Sequence, residues 1–152
     1  FFSPLINKRT DAYNGYTLEG RTRIHMELIK GIRQVIGDKS LFALRLGGCD
    51  YTVGGTTIED AVWACRRFEE AGVDLLDISG GTCCYARKGH NYPGYFGDIS
   101  EAVKKEVHIP VLLTGGVRTV QDAEILLKEE KADMIGVGRI ITAKPDWGME
   151  LI

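Results

Sequence analysis

No stretch of this chain holds the ~20 consecutive apolar residues of a membrane-crossing helix. That argues against a helical membrane protein. The four cysteines, Cys49, Cys65, Cys83 and Cys84, show no CxxC spacing, so neither a zinc site nor a disulfide framework is indicated. They are expected as free thiols, with Cys65 in the core on a helix. A charge of one sign is also missing: 19 basic residues against 21 acidic ones leave a net charge of −2. Such a balance offers no broad field to hold nucleic acid or an anionic membrane, so any binding is local. The opening FFSP lacks the basic start and long apolar stretch of a secretory signal, and a cytoplasmic protein is the default expectation. What the chain does have is 152 residues at 44% hydrophobic, enough for an ordinary core in one segment over residues 1–152. It begins without methionine and ends where a helix has barely started, which reads as a piece of something longer.

Two glycine-terminated apolar runs near the C-terminus organise the rest, PVLLTGG at 110–116 and DMIGVGR at 133–139. Continuous apolar runs of this length suit parallel strands covered on both faces, and glycine directly after them removes the Cβ that would block a ligand. Gly138 and Arg139 place backbone amides and a guanidinium fork at one point, which suits a cluster of anionic oxygens such as a phosphate. The plain alternative is that Gly115 and Gly116 only turn the chain and Arg139 only makes a surface ion pair. Two further strands read the same way, LFALRL at 41–46 closed by Gly47 and Gly48, and VDLLDIS at 73–79 closed by Gly80 and Gly81. Arg45 is the anomaly among them. Burying an unpaired charge costs several kcal/mol, so it must either meet a carboxylate or emerge where the strand opens onto a site.

Helices alternate with these strands. Ile24, Leu28, Ile32 and Ile36 follow helical spacing from about Leu18, and Gly37 supplies the stop. Thr56 and Glu59 have capping-box spacing ahead of a second helix with the face Ile58, Val62, Cys65 and Phe68. A short third helix carries Ile99, Val103 and Val107. A fourth starts near Thr119, with Asp122 three residues on, and carries Val120, Ala123 and Leu127. Residues 1–16 show no periodicity but hold Asn7, Arg9, Asp11 and Tyr13, a structured loop whose polar groups hold one another. Residues 82–97 form a second loop, with Tyr85, His90, Tyr92, Tyr95 and Phe96 interleaved with Arg87 and Lys88, either a wall over a ligand or aromatics packing the loop down. His90, without a visible partner, reads as structural or solvated rather than as a base.

The fold class is therefore α/β, four parallel strands with right-handed helical crossovers. All strand ends point one way, which gathers Arg45, Ser79, Gly115, Gly116, Gly138 and Arg139 at the carboxyl edge, where barrels and open α/β sheets bind ligands. Four strands cannot close a barrel. An eight-stranded barrel runs to about 250 residues, so the chain is expected to be about half of one, or else an open flavodoxin-like sheet.

At these residues the sequence resembles the C-terminal half of the old yellow enzyme family, the FMN-dependent NADH:flavin oxidoreductases and ene-reductases. The opening FFSPLINKRTDAY is similar to the family's FLSP…N-x-R-x-D-x-Y segment, and the likeness covers nearly the whole chain. The resemblance implies a (β/α)8 barrel in which Arg45 reaches the flavin ring. It further implies that Gly115 and Gly116 form the phosphate loop after strand seven, and that Gly138 and Arg139 bind the FMN phosphate after strand eight. Lys144 to Trp147 is similar to the segment just beyond. The implied reaction takes hydride from NAD(P)H through FMN to an activated, enone-type alkene. One departure lies at 13–21, YNGYTLEGR, which has an extra residue and glycine at position 20 where the family has asparagine. The family's substrate-orienting His with His or Asn and its tyrosine proton donor lie before the Phe-Ser-Pro segment, so no catalytic residue and no metal ligand is expected in this chain.

Two other functions stay open at this point. One is a phosphate-binding barrel of another class, acting on phosphorylated sugars or biosynthetic intermediates, against which the opening loop argues. The other is a half-barrel that is inert, or only binds phosphate, and associates through its sheet edges. On either barrel reading the partner at those edges is a second copy or an N-terminal half.

Overall fold

The computed structural model describes residues 1–83 and 86–151, so the readings made for Cys84 and Tyr85 lie outside the described residues. The elements alternate as α1 (Leu18–Ile36), β1 (Ala43–Gly47), α2 (Ile58–Glu70), β2 (Leu75–Ser79), α3 (Gly97–Lys104), β3 (Val111–Thr114), α4 (Val120–Lys128), β4 (Met134–Gly136) and α5 (Arg139–Ala143), followed by a 3-10 turn, Trp147–Leu151. The four strands pair in parallel in the order β1-β2-β3-β4.

That order decides between the two expected architectures. A flavodoxin-like sheet reverses strand order at a switch point, whereas consecutive right-handed crossovers without reversal put every helix on the same face. The sheet is a singly wound arc of the barrel type, and its outer edges are open. It is not covered on both faces, as unbroken apolar runs suggest. Leu46, Leu76, Ile78, Val111 and Leu113 are buried together with Ala61, Ala64, Cys65 and Phe68 of α2, Ile99 and Val103 of α3, and Ala123 and Leu126 of α4. The residues that alternate with them, Arg45, Asp77, Leu112 and Met134, share one register row on the other face. None of these four is fully buried.

The helix limits follow local chemistry, with some shifts from the expected faces. Thr17 caps α1 by accepting the amide of Gly20, and the chain leaves at Gly37 with φ of 64°. The face of α1 toward the core holds Arg21, Thr22 and Ile29, while Leu28, Ile32 and Val35 are exposed. An edge helix has a neighbouring helix, α2, on one side only and cannot bury a full stripe. The capping box of α2 is Thr57 with Asp60, one residue beyond the expected pair. Thr56 is instead buried and gives its amide to Asp50 at 2.7 Å. The box at Thr119 and Asp122 opens α4 as expected, but Leu126 rather than Leu127 faces inward. Val107 lies past the end of α3.

Candidate functional site

The opening loop is tied to itself. Asn7 donates from Nδ2 to the carbonyls of Phe1 (3.0 Å) and Tyr13 (2.9 Å) and accepts the Arg9 amide at 3.1 Å, while Asp11 pairs with Arg9 and accepts the Tyr13 amide. Its side chains thus serve the loop's own conformation. The unusual 13–21 segment has a steric reason: a Cβ on Gly20 would lie 2.6 Å from the Asn14 side chain, whose Oδ1 accepts from the backbone of Tyr16 and Thr17. Asparagine at position 14 and glycine at position 20 belong together.

Asp50, in the loop after β1, ties this segment to the strand ends. It is 2% exposed and accepts from Ser3 Oγ (2.6 Å) and from the amides of Thr56 (2.7 Å) and Thr82 (2.6 Å). Burial alone would raise its pKa, yet these donors outweigh it and hold the carboxyl below the usual range. The loop 82–97 is pinned by a second cluster. Arg87 pairs with Asp98 at 2.9 Å and lies 3.9 Å over the Tyr51 ring, and Tyr51 donates to Asp98 at 2.7 Å while stacking on Phe96. Burial and that hydrogen bond raise the Tyr51 pKa. The His90 ring meets Tyr92 on the surface, with Nδ1 3.0 Å from its hydroxyl.

The carboxyl ends of all four strands open into one cleft of about 560 Å³, lined by Arg45, Ser79, Gly80, Tyr95, Phe96, Thr114, Gly115, Gly116, Val117, Gly136, Gly138 and Arg139. All five residues expected at the site, Arg45, Gly115, Gly116, Gly138 and Arg139, border it. Arg45 does both things open to it. Its Nε donates to Asp77 Oδ2 at 2.7 Å and Nη2 to Thr114 Oγ1 at 3.3 Å, yet its side chain is 60% exposed toward the cleft. Thr114 in turn donates to Asp77 Oδ1 at 2.9 Å. At the far end Arg139 is exposed and donates to the Tyr95 hydroxyl at 3.0 Å.

The glycines of the cleft have a packing role. A Cβ on Gly116, at φ 74°, would sit 2.4 Å from the Tyr95 ring, and one on Gly115 would sit 2.8 Å from Phe96. These two let the aromatic wall pack against the strand end. A Cβ on Gly136 would meet Thr114 Oγ1 at 2.1 Å. Gly138 alone of the four faces open space, so only there does the missing Cβ leave room for something outside the protein.

Residues 1–151 match the sequence profile of the NADH:flavin oxidoreductase / NADH oxidase family. The chain belongs to that family. An NADPH dehydrogenase of Halalkalibacterium halodurans is 37% identical over 150 residues, covering 99% of this chain and 43% of that protein. An NADH oxidase of Thermoanaerobacter brockii is 32% identical over 151 residues, covering 97% of this chain and 23% of the relative. The structure of a 2-naphthoyl-CoA reductase in complex with 2-naphthoyl-CoA superposes with a TM-score of 0.86 at 28% identity, over 99% of this chain and 23% of that one. The chain therefore spans less than half the length of these relatives. Membership in a NADH:flavin oxidoreductase family implies a flavin and a nicotinamide reductant. No helix among the described residues is long and apolar enough to cross a membrane.

Sequence reasoning missed Tyr95 as the anchor of Arg139, and Asp77 and Thr114 as the support of Arg45. A signal for Asp77 existed. Arg45 stands two residues before the last strand residue, Gly47, and Asp77 two before Ser79, and the register pairs them directly.

Proposed function

We propose that this cleft holds FMN, with the ring toward Arg45 and the phosphate toward Gly138 and Arg139, as part of an NAD(P)H-dependent oxidoreductase that reduces activated alkenes. One observation carries this reading: Arg45 of β1 and Arg139, which opens α5 just after β4, border a single cleft and are held by different partners, Asp77 and Thr114 for the first and Tyr95 for the second. Two separately held cations beside one apolar wall suit a ligand with a separate electron-rich ring and phosphate better than a lone phosphate. The residues fit such a group. Gly138 leaves open space beside an exposed arginine, Tyr95 and Phe96 give an apolar wall, and 560 Å³ is a common size for a cofactor site. When bound, the flavin supplies the hydride chemistry, and the chain supplies binding, orientation and charge. Arg139→Ala is expected to weaken FMN binding by about 1.5–3 kcal/mol, the scale of a hydrogen bond to a charged group. Equilibrium titration by flavin fluorescence measures it. Unchanged affinity would remove Arg139 from the site.

A role in assembly rests on a separate observation. Leu28, Ile32 and Val35 of α1 are exposed, Val35 at 85%, beside the unpaired edge of β1, and Ile125 and Met134 are exposed at the β4 side. Open parallel edges flanked by apolar surface accept further β/α units, supplied by an N-terminal half or by a second copy. Light scattering across a concentration series tests self-association, and a monomer at all concentrations would leave the N-terminal half as the partner.

A further inference from the structure

Arg45 does not stand in the cleft as a bare cation. Its Nε is 2.7 Å from Asp77 Oδ2, the second carboxylate oxygen accepts the Thr114 hydroxyl at 2.9 Å, and Thr114 Oγ1 accepts Arg45 Nη2 at 3.3 Å. The three groups close a triangle in which both Asp77 oxygens and two of the guanidinium's three nitrogens are engaged. Asp77 is the least exposed member of the ion pair, at 18% against 60% for Arg45, and among the described residues it does not line the cleft. Gly136 makes the triangle possible, because a Cβ there would overlap Thr114 Oγ1.

We propose that Asp77 is a positioning residue that also tunes potential, a carboxylate behind Arg45 that fixes the guanidinium plane and offsets part of its charge at the flavin ring. The inference rests on the reading that Arg45 faces bound FMN. A flavin that takes up two electrons and one proton gains net negative charge on its ring system. A nearby cation favours that reduced form and a nearby anion opposes it. The pair therefore presents less positive charge than arginine alone, and the site holds its cofactor at a lower potential than the arginine by itself would give. Thr114 keeps the carboxylate from turning away, since its hydroxyl occupies the oxygen that Arg45 does not.

Asp77→Asn tests this with little change of shape. The amide oxygen can still accept from Arg45 Nε, and the amide nitrogen can donate to the Thr114 hydroxyl, so the charge goes and the geometry stays. Midpoint potentials of the FMN-loaded protein, measured by dye-linked reductive titration, are compared for the parent, Asp77→Asn and Arg45→Gln. The expected result is that Asp77→Asn raises the preference for reduced over oxidised FMN about tenfold, equivalent to about +30 mV for a two-electron couple, while Arg45→Gln lowers it. If Arg45→Gln lowers the potential but Asp77→Asn leaves it unchanged or lowers it, the tuning role is overturned and the placement of Arg45 stands. If neither variant moves the potential, or the protein retains no FMN, the placement of Arg45 at the flavin fails and takes the proposal with it. Should Asp77→Asn not fold, Asp77→Ser removes the same charge and must give the same sign.

Discussion

Replacing Gly116 by alanine acts on the fold and the site through one ring. At φ 74° an L-residue pays about 1–2 kcal/mol for the left-handed conformation. The added Cβ would lie 2.4 and 2.6 Å from two ring carbons of Tyr95 and 3.2 Å from the Tyr92 carbonyl. Tyr95 is 6% exposed and packed edge-on against Phe96 at 4.6 Å, so it cannot swing into solvent to make room. Overpacking of this kind costs about 1–3 kcal/mol, which brings the total to about 2–5 kcal/mol. For a domain of ordinary stability, about 5–15 kcal/mol, that is a large loss. The Tyr95 hydroxyl also accepts from Arg139, so the shift carries into the Arg139 end of the cleft. Urea unfolding followed by circular dichroism should show a lower midpoint with an unchanged slope. The control is Gly138→Ala, where the Cβ meets nothing within 4 Å and the cost should be about 1 kcal/mol or less. A Gly116→Ala protein as stable as the parent, or a Gly138→Ala protein equally destabilised, would refute the packing argument.

Asp50→Ala strands the amides of Thr56 and Thr82 and should cost about 2–4 kcal/mol in the same urea assay; a loss under 1 kcal/mol would deny Asp50 its role as a tie. Two groups contribute to the acid limb of stability alongside carboxyls such as Glu101 and Asp74 that are also held low by their cationic partners. Burial lowers the pKa of His25, which lies between Phe2 and Phe68 with no hydrogen-bond partner for Nδ1 among the described residues, so its neutral form is favoured and its contribution falls as pH drops below the unfolded value of about 6.5. The carboxyl of Asp50, held low, contributes above about pH 3.9 and loses that contribution as pH falls through its folded pKa. Melting temperatures from pH 8 to 3 should therefore decline in two stages, and His25→Leu should remove the first. Thr119→Ala should lower stability by about 1 kcal/mol through loss of the capping box of α4, measured by thermal unfolding.

The sequence showed the alternation of elements because each helix stop and strand end is local chemistry. Gly37 after α1 and the Thr119–Asp122 box before α4 could be read without knowing the fold. Faces were less legible. Ile24, Leu28 and Ile32 make a convincing helical stripe, yet α1 turns Arg21, Thr22 and Ile29 inward, because an edge helix follows the neighbours it has, including Asp60, which holds Arg21 at 3.0 Å. The two adjacent threonines before α2 show the same limit. Either could cap by spacing, and the choice was made by Asp50, which takes the Thr56 amide for a tertiary contact. The five residues expected at the site, which border one cleft, stood out in the sequence because arginine in an apolar strand and glycine at its end are anomalies that need a cause. Their supporting groups were not anomalous. Asp77, Thr114 and Tyr95 acquire meaning only once the register and the loop path bring them beside Arg45 and Arg139.

Paired calorimetric titrations with FMN and riboflavin would show whether one cleft holds a flavin by its ring at one end and its phosphate at the other. The two ligands share the ring and differ in the phosphate. FMN should bind with one site per protein and riboflavin about 10–150-fold more weakly, the equivalent of about 1.5–3 kcal/mol for charge-assisted contacts at Gly138 and Arg139. Equal affinities, or no binding of FMN, would contradict that arrangement.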